Sequence, residues 1–90
     1  MKRYVVLYEA ADDVATRAPL HYPAHRERFL DFHRRGDLLM IGTFGDPGGD
    51  AAMGIFGSRE AAEEFVAEDP FVLNGVVKAW RIREWDDALS

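Results

Sequence analysis

Apolar residues along this chain switch spacing several times, and each switch marks an element. Tyr4 to Tyr8 is rich in β-branched and aromatic residues and reads as a strand. Glu9 to Leu20 mixes Asp12-Asp13 with Pro19 and reads as a loop, long for a compact domain. A helix is predicted from near Pro23, a residue favoured in the first turn, to Gly36, a natural left-handed cap after Arg34-Arg35. Tyr22, His25, Phe29 and Phe32 share one face of it by helical spacing. Leu38 to Phe44 and Ala51 to Phe56 read as strands joined by the turn cluster Gly45-Asp46-Pro47-Gly48-Gly49, hence a hairpin. Ser58 is a good N-cap for a second helix with Ala61, Ala62, Phe65 and Val66 on its buried stripe. That helix must stop by Asp69, because the residue before a proline disfavours helical backbone. A short turn from Pro70 to Asn74 closed by Gly75 follows, and Val76 to Trp85 is the last strand.

The order βαββαβ is the ferredoxin-like pattern, an α+β fold with a four-stranded antiparallel sheet and two helices on one face. Residues 1–90 are expected to form a single domain. A sheet covered on one side should alternate apolar and polar positions. Here both faces carry apolar residues: Val5 and Leu7 against Tyr4, Val6 and Tyr8, and Leu38, Met40 and Phe44 against Leu39 and Ile41. Met53 and Ile55 oppose Ala52 and Phe56, and Val76, Trp80 and Ile82 oppose Val77, Ala79 and Trp85. Helices cover one face only, so the other predicts a second copy packed sheet to sheet, a homodimer.

Composition narrows the partners. The net charge of −5, from 11 basic and 16 acidic residues, argues against nucleic acid and against anionic membrane surfaces. No segment approaches the roughly 20 apolar residues of a membrane span, and the apolar stretch after Met1-Lys2-Arg3 is too short and polar for a signal peptide. A cytoplasmic protein is the expectation. The absence of cysteine excludes disulfides, thiolate nucleophiles and cysteine-based zinc sites.

Two residues carry most of the candidate chemistry. His25 sits on the apolar helix stripe, where it serves either as a hydrogen-bonded core histidine or as a general acid/base. Asp69 opens Asp69-Pro70-Phe71, which is fully explained as an N-cap before a first-turn proline. The same carboxylate could orient an imidazole and stabilise its protonated form. His21 and His25 stand four apart, but Pro23 lies between them and the sequence places His21 before the helix, so a metal pair is not expected. His33 falls near a helix end, where a cation is favoured. Neither Ser58 nor Ser90 lies in a nucleophile elbow, and Gly45 to Gly49 lacks the lysine and helix of a phosphate loop.

The chain resembles the YCII-related (YciI-like) proteins of the dimeric α+β barrel superfamily. The likeness rests on Tyr22-Pro23-Ala24-His25, on Gly36-Asp37-Leu38 leading to Gly42, on Ala61-Ala62-Glu63-Glu64-Phe65, and on Asp69-Pro70-Phe71 with Gly75. It implies a ferredoxin-like subunit that dimerises through its sheets. It also implies a site built on the histidine of the first helix and the aspartate before proline, which map to His25 and Asp69. Acid–base chemistry of an isomerase, lyase or dehydrochlorinase kind, without a cofactor or metal, is the activity it suggests. The substrate would be a small organic acid or aromatic breakdown product. Tyr4, Tyr8 and Phe29 are then expected in an apolar wall, with Arg26 near the substrate. Relatives often carry Arg before Pro-Ala-His and Leu after it, where this chain has Tyr22 and Arg26; Arg26, Arg17 and Arg81 are candidate replacements for the arginine. A non-enzymatic small-molecule-binding module is the alternative, and haem or cofactor-free oxygenase chemistry, with His25 as the axial ligand in the haem case, is a third.

Overall fold

The computed structural model describes residues 1–46 and 48–90; part of the predicted turn cluster, Pro47, lies outside the described residues. The elements are β1 (Lys2–Ala10), α1 (Val14–Arg34), β2 (Leu38–Thr43), β3 (Ala52–Phe56), α2 (Arg59–Glu68), α3 (Pro70–Leu73) and β4 (Val77–Asp86). The strands form one antiparallel sheet in the order β2-β3-β1-β4. The helices pack on one face of it, as the βαββαβ pattern predicts.

The main departure lies before Pro23. Instead of a loop from Glu9 to Leu20, β1 continues to Ala10 and α1 begins at Val14, with Pro19 and Pro23 inside the helix. His21 is therefore helical. Each proline lacks the N–H that would bond one turn back, which ordinarily ends a helix. Here the apolar stripe overrides it. Val14, Ala18, Tyr22, His25, Phe29 and Phe32 follow each other at steps of three and four, a continuous helical face. The C-terminal end agrees with expectation: Gly36 adopts φ 84°, which only glycine takes readily, and its N–H donates to the His33 carbonyl.

Phe32, Leu38, Phe56, Phe65, Ala62 and Val66 are almost wholly excluded from solvent and form the centre of the core between α1, α2 and the sheet. Phe32 and Phe65 meet edge to face with ring centroids 5.2 Å apart, a favoured aromatic geometry. Ser58 accepts from Ala61 N–H at 3.1 Å and so caps α2.

A register shift between Leu38 and Met40 changes which β2 side chains share a face. Leu38 pairs with Phe56 and Ile41 with Gly54, on the helix side, whereas Met40 pairs with Ile55 on the outer side. The grouping of Leu38 with Met40 thus fails, because strict alternation does not survive a bulge. The outer face of the sheet carries Val5, Leu7, Met53, Ile55 and Met40, with Arg81, Arg83 and Trp85 along β4. Met40 is 67 % exposed and Trp85 49 %. Arg81 is held by both oxygens of Asp50, at 3.0 and 2.8 Å. Among the described residues, no helix is long and apolar enough to cross a membrane.

Candidate active site

The site forms where α1, β1 and the α2–α3 junction converge. Helical spacing puts His25 on the buried stripe of α1, one turn before Phe29. Tyr8 projects from β1 onto the helix face, in the same set as Val6. Asp69 occupies the single residue between α2 and α3 with extended backbone (φ −66°, ψ 124°), the conformation an N-cap before proline requires.

These three side chains meet. His25 Nδ1 lies 2.7 Å from Asp69 Oδ1. The Tyr8 hydroxyl donates to Asp69 Oδ2 at 2.6 Å. Phe71 N–H donates to Asp69 Oδ1 at 3.2 Å, completing the N-cap. The two readings of Asp69 were therefore not exclusive: one carboxylate caps α3 and binds the imidazole at once. Asp69 is fully buried and His25 nearly so, with 7 % exposed. A buried carboxylate is tolerable only when its oxygens are filled by donors, and here three donors fill them.

The arrangement fixes the histidine's chemistry. An ionised carboxylate only accepts, so Nδ1 carries the hydrogen. In the neutral ring Nε2 is then the basic nitrogen, and it has no hydrogen-bond partner among the described residues. The imidazole lies flat on Phe71, with centroids 3.9 Å apart and planes 5° from parallel, and meets the edge of Phe29 at 5.2 Å. Stacking and hydrogen bond together leave the ring little rotational freedom. The Tyr8 hydroxyl is pushed far above its ordinary value of 10.0, first by burial and then by the charge of Asp69 and the hydrogen bond to it. It stays protonated and acts as a fixed donor.

His25 and Tyr8 stand in the wall of a cavity of about 460 Å³ between α1 and the sheet. Phe29, Tyr22 and Phe71 line it beside them, and Ile41, Thr43 and Gly54 face them from the hairpin. Of the residues expected in the apolar wall, Tyr8 and Phe29 line the cavity. Tyr4 does not: it is four residues from Tyr8 along β1, about 13 Å at strand rise, and its hydroxyl lies 3.4 Å from Glu84. Arg26, adjacent to His25 in sequence, points away on the exposed side of α1 and is also outside the lining. Arg17 is bound to Asp13 and to the Asn74 carbonyl, and Arg81 to Asp50, so neither of these candidates reaches the cavity.

Sequence reasoning missed the bond from Tyr8 to Asp69 and the stacking of Phe71. Phe71 was legible as part of Asp69-Pro70-Phe71, but which ring it would cover was not. No cluster of three or more His, Asp or Glu among the described residues could hold a metal. A haem could be ligated through His25 Nε2, yet the lining offers no cation for its propionates.

Fold and site together define a ferredoxin-like α+β domain with a buried histidine–carboxylate pair opening on an apolar cavity. The chain belongs to the family described as the YCII-related domain, which matches residues 1–86. It is similar in structure to 5-chloro-2-hydroxyhydroquinone dehydrochlorinase (TftG) from Burkholderia phenoliruptrix, solved with 2,5-dihydroxybenzoquinone (TM-score 0.72, 17% identity, 99% of this chain and 97% of that one). It is also similar to an antibiotic biosynthesis monooxygenase (TM-score 0.58, 15% identity, 98% and 99% covered). A third likeness is to a dimeric protein of unknown function and ferredoxin-like fold from Bacteroides fragilis (TM-score 0.54, 14% identity, 96% and 95% covered). At such identities the likeness is one of fold. No curated protein matches the sequence.

Proposed function

We propose that this protein is a small cofactor-free enzyme in which His25 and Asp69 form an acid–base dyad. Its substrate would be a small organic acid or aromatic breakdown product, in isomerase, lyase or dehydrochlorinase-like chemistry. One observation carries the reading: His25 is anchored through Nδ1 at 2.7 Å to a buried carboxylate and its side chain lines a cavity. A core histidine with a purely structural role needs no cavity beside it. In the proposed step Nε2 takes a proton from a substrate carbon next to a carbonyl. The resulting imidazolium is stabilised by Asp69; in isomerisation the proton is returned to a second substrate atom, and in elimination the substrate's electron pair expels a leaving group such as chloride and the proton passes to that group or to water. Tyr8 holds Asp69 in place and is a positioning residue. Acid–base transfer of this kind contributes about 10²–10⁴-fold, and orientation in the cavity supplies the remainder. The dehydrochlorinase likeness supports the class of chemistry and not the substrate. A turnover screen over dehydrochlorination, isomerisation and lyase substrates tests the reading, and unchanged turnover in His25→Ala would overturn it.

A non-enzymatic binding module is the second reading, favoured by the nearly apolar lining of the cavity, which could hold a ligand without transforming it. Ligand capture with no turnover in the same screen selects it.

The protein is further proposed to act as a homodimer joined through the outer sheet faces. Val5, Leu7, Met53 and Ile55 share that face by strand register, and Met40 and Trp85 beside them stand exposed on the isolated chain. The dimeric state of the Bacteroides fragilis protein accords with this.

A further inference from the structure

Among the described residues, the cavity's lining contains no lysine or arginine and no acidic residue. The polar side chains in the wall are Tyr8, Tyr22, His25 and Thr43. Tyr8 is committed to Asp69 through its hydroxyl, and His25 through Nδ1. Two arginines of α1 are bound elsewhere. Arg28 donates to the Phe65 and Glu64 carbonyls, and Arg17 to Asp13 and the Asn74 carbonyl. The nearest buried charge is the Asp69 carboxylate, in direct contact with two of the wall's side chains.

A carboxylate or phosphate entering this space would lose its water and find no lysine or arginine in exchange, and an imidazolium at His25 is already paired with Asp69, so the transfer costs several kcal/mol as for an unpaired ion. It would also meet the negative field of Asp69. A neutral ring loses little on entry and gains contact with Phe29, Phe71 and Ile41. Size points the same way. An apolar cavity of about 150 Å³ accepts a benzene ring, so 460 Å³ holds one substituted ring or two fused ones.

We infer that the ligand of this site is an uncharged, one- or two-ring compound with a hydroxyl or carbonyl directed at His25, and that carboxylates are excluded. This rests on the proposed use of the cavity and narrows its substrate from the two classes above to the aromatic one. Tyr22 is placed to set the preference. It lines the cavity yet is 45 % exposed, so it stands at the rim, where a longer cationic side chain would fit without disturbing the core.

The test is a matched pair, naphthol and naphthoate, the same rings carrying a neutral hydroxyl or a carboxylate, titrated calorimetrically into the full chain at neutral pH. Naphthol is expected to bind, with naphthoate at least roughly tenfold weaker, a difference of about 1.4 kcal/mol. In Tyr22→Arg the gap should narrow or reverse. In Ala18→Trp, which fills the cavity from α1, naphthol binding should be lost while the circular dichroism spectrum is kept. Equal or tighter binding of naphthoate to the wild type overturns the inference, and so does failure of naphthol to bind. Naphthol binding that survives in a folded Ala18→Trp protein overturns the assignment to this cavity. Neutral-ring preference without His25-dependent turnover would remove the catalytic reading alone. His25-dependent turnover of a carboxylate would remove the charge exclusion alone.

Discussion

Tyr8 and His25 are bound to the two oxygens of one buried carboxylate, the phenol at 2.6 Å on Oδ2 and the imidazole at 2.7 Å on Oδ1 of Asp69. They come from β1 and α1, and Asp69 itself joins α2 to α3. The contact thus ties four elements together at the wall of the cavity. Stability and chemistry are linked here, and each can be measured.

His25→Ala should reduce turnover of an identified substrate by about 10²–10⁴-fold, the usual contribution of a positioned acid–base group. KM should change far less than kcat. Steady-state kinetics, with far-ultraviolet circular dichroism to confirm the fold, checks this.

Asp69→Ala should destabilise the protein by about 2–5 kcal/mol. The variant loses an N-cap, worth about 1 kcal/mol, and strands the buried Tyr8 and His25 donors, at about 1–3 kcal/mol each before relaxation. Asp69→Asn keeps an acceptor for Phe71 N–H and should be milder. Urea denaturation of the three proteins side by side gives the order.

Tyr8→Phe removes a charge-assisted hydrogen bond and should cost about 1.5–3 kcal/mol. The same variant tests the pH dependence. The folded-state Tyr8 hydroxyl titrates above its unfolded value of 10.0. Its contribution is therefore fully present below pH 10.0 and is lost as the unfolded chain ionises above it. The melting temperature of the wild type should fall more steeply above that pH than that of Tyr8→Phe, as calorimetry at a series of alkaline pH values would reveal.

Met40→Glu combined with Trp85→Glu should break the proposed dimer, because both side chains are exposed on the isolated chain and replacing them leaves its core intact. Light scattering of the wild type should give twice 10.2 kDa, and of the double variant a single chain. A monomeric wild type at micromolar concentration would end the dimer proposal.

The element order, the capping of α2 by Ser58 and the left-handed turns at Gly36 and Gly75 were all legible in the sequence, since each rests on neighbours a few residues apart. The start of α1 was not. Pro19 and Pro23 signal a break locally, and the stripe that outweighs them, Val14 through Phe32, gains its force only when packed on the other elements. The β2 faces were misassigned for a related reason: the bulge between Leu38 and Met40 arises from pairing with β3 and leaves no mark on β2 itself.

The site divides along the same line. Sequence alone determined that His25 lies on a buried helix face and that Asp69 sits at a helix boundary with its carboxylate free to accept. Tertiary structure decided that the two touch, that Tyr8 takes the other oxygen, and that Tyr4 and Arg26 fall outside the cavity. Helix and strand periodicity are local properties of the chain. A hydrogen bond between residues 44 positions apart depends on how three separate elements pack, which no short stretch of sequence encodes.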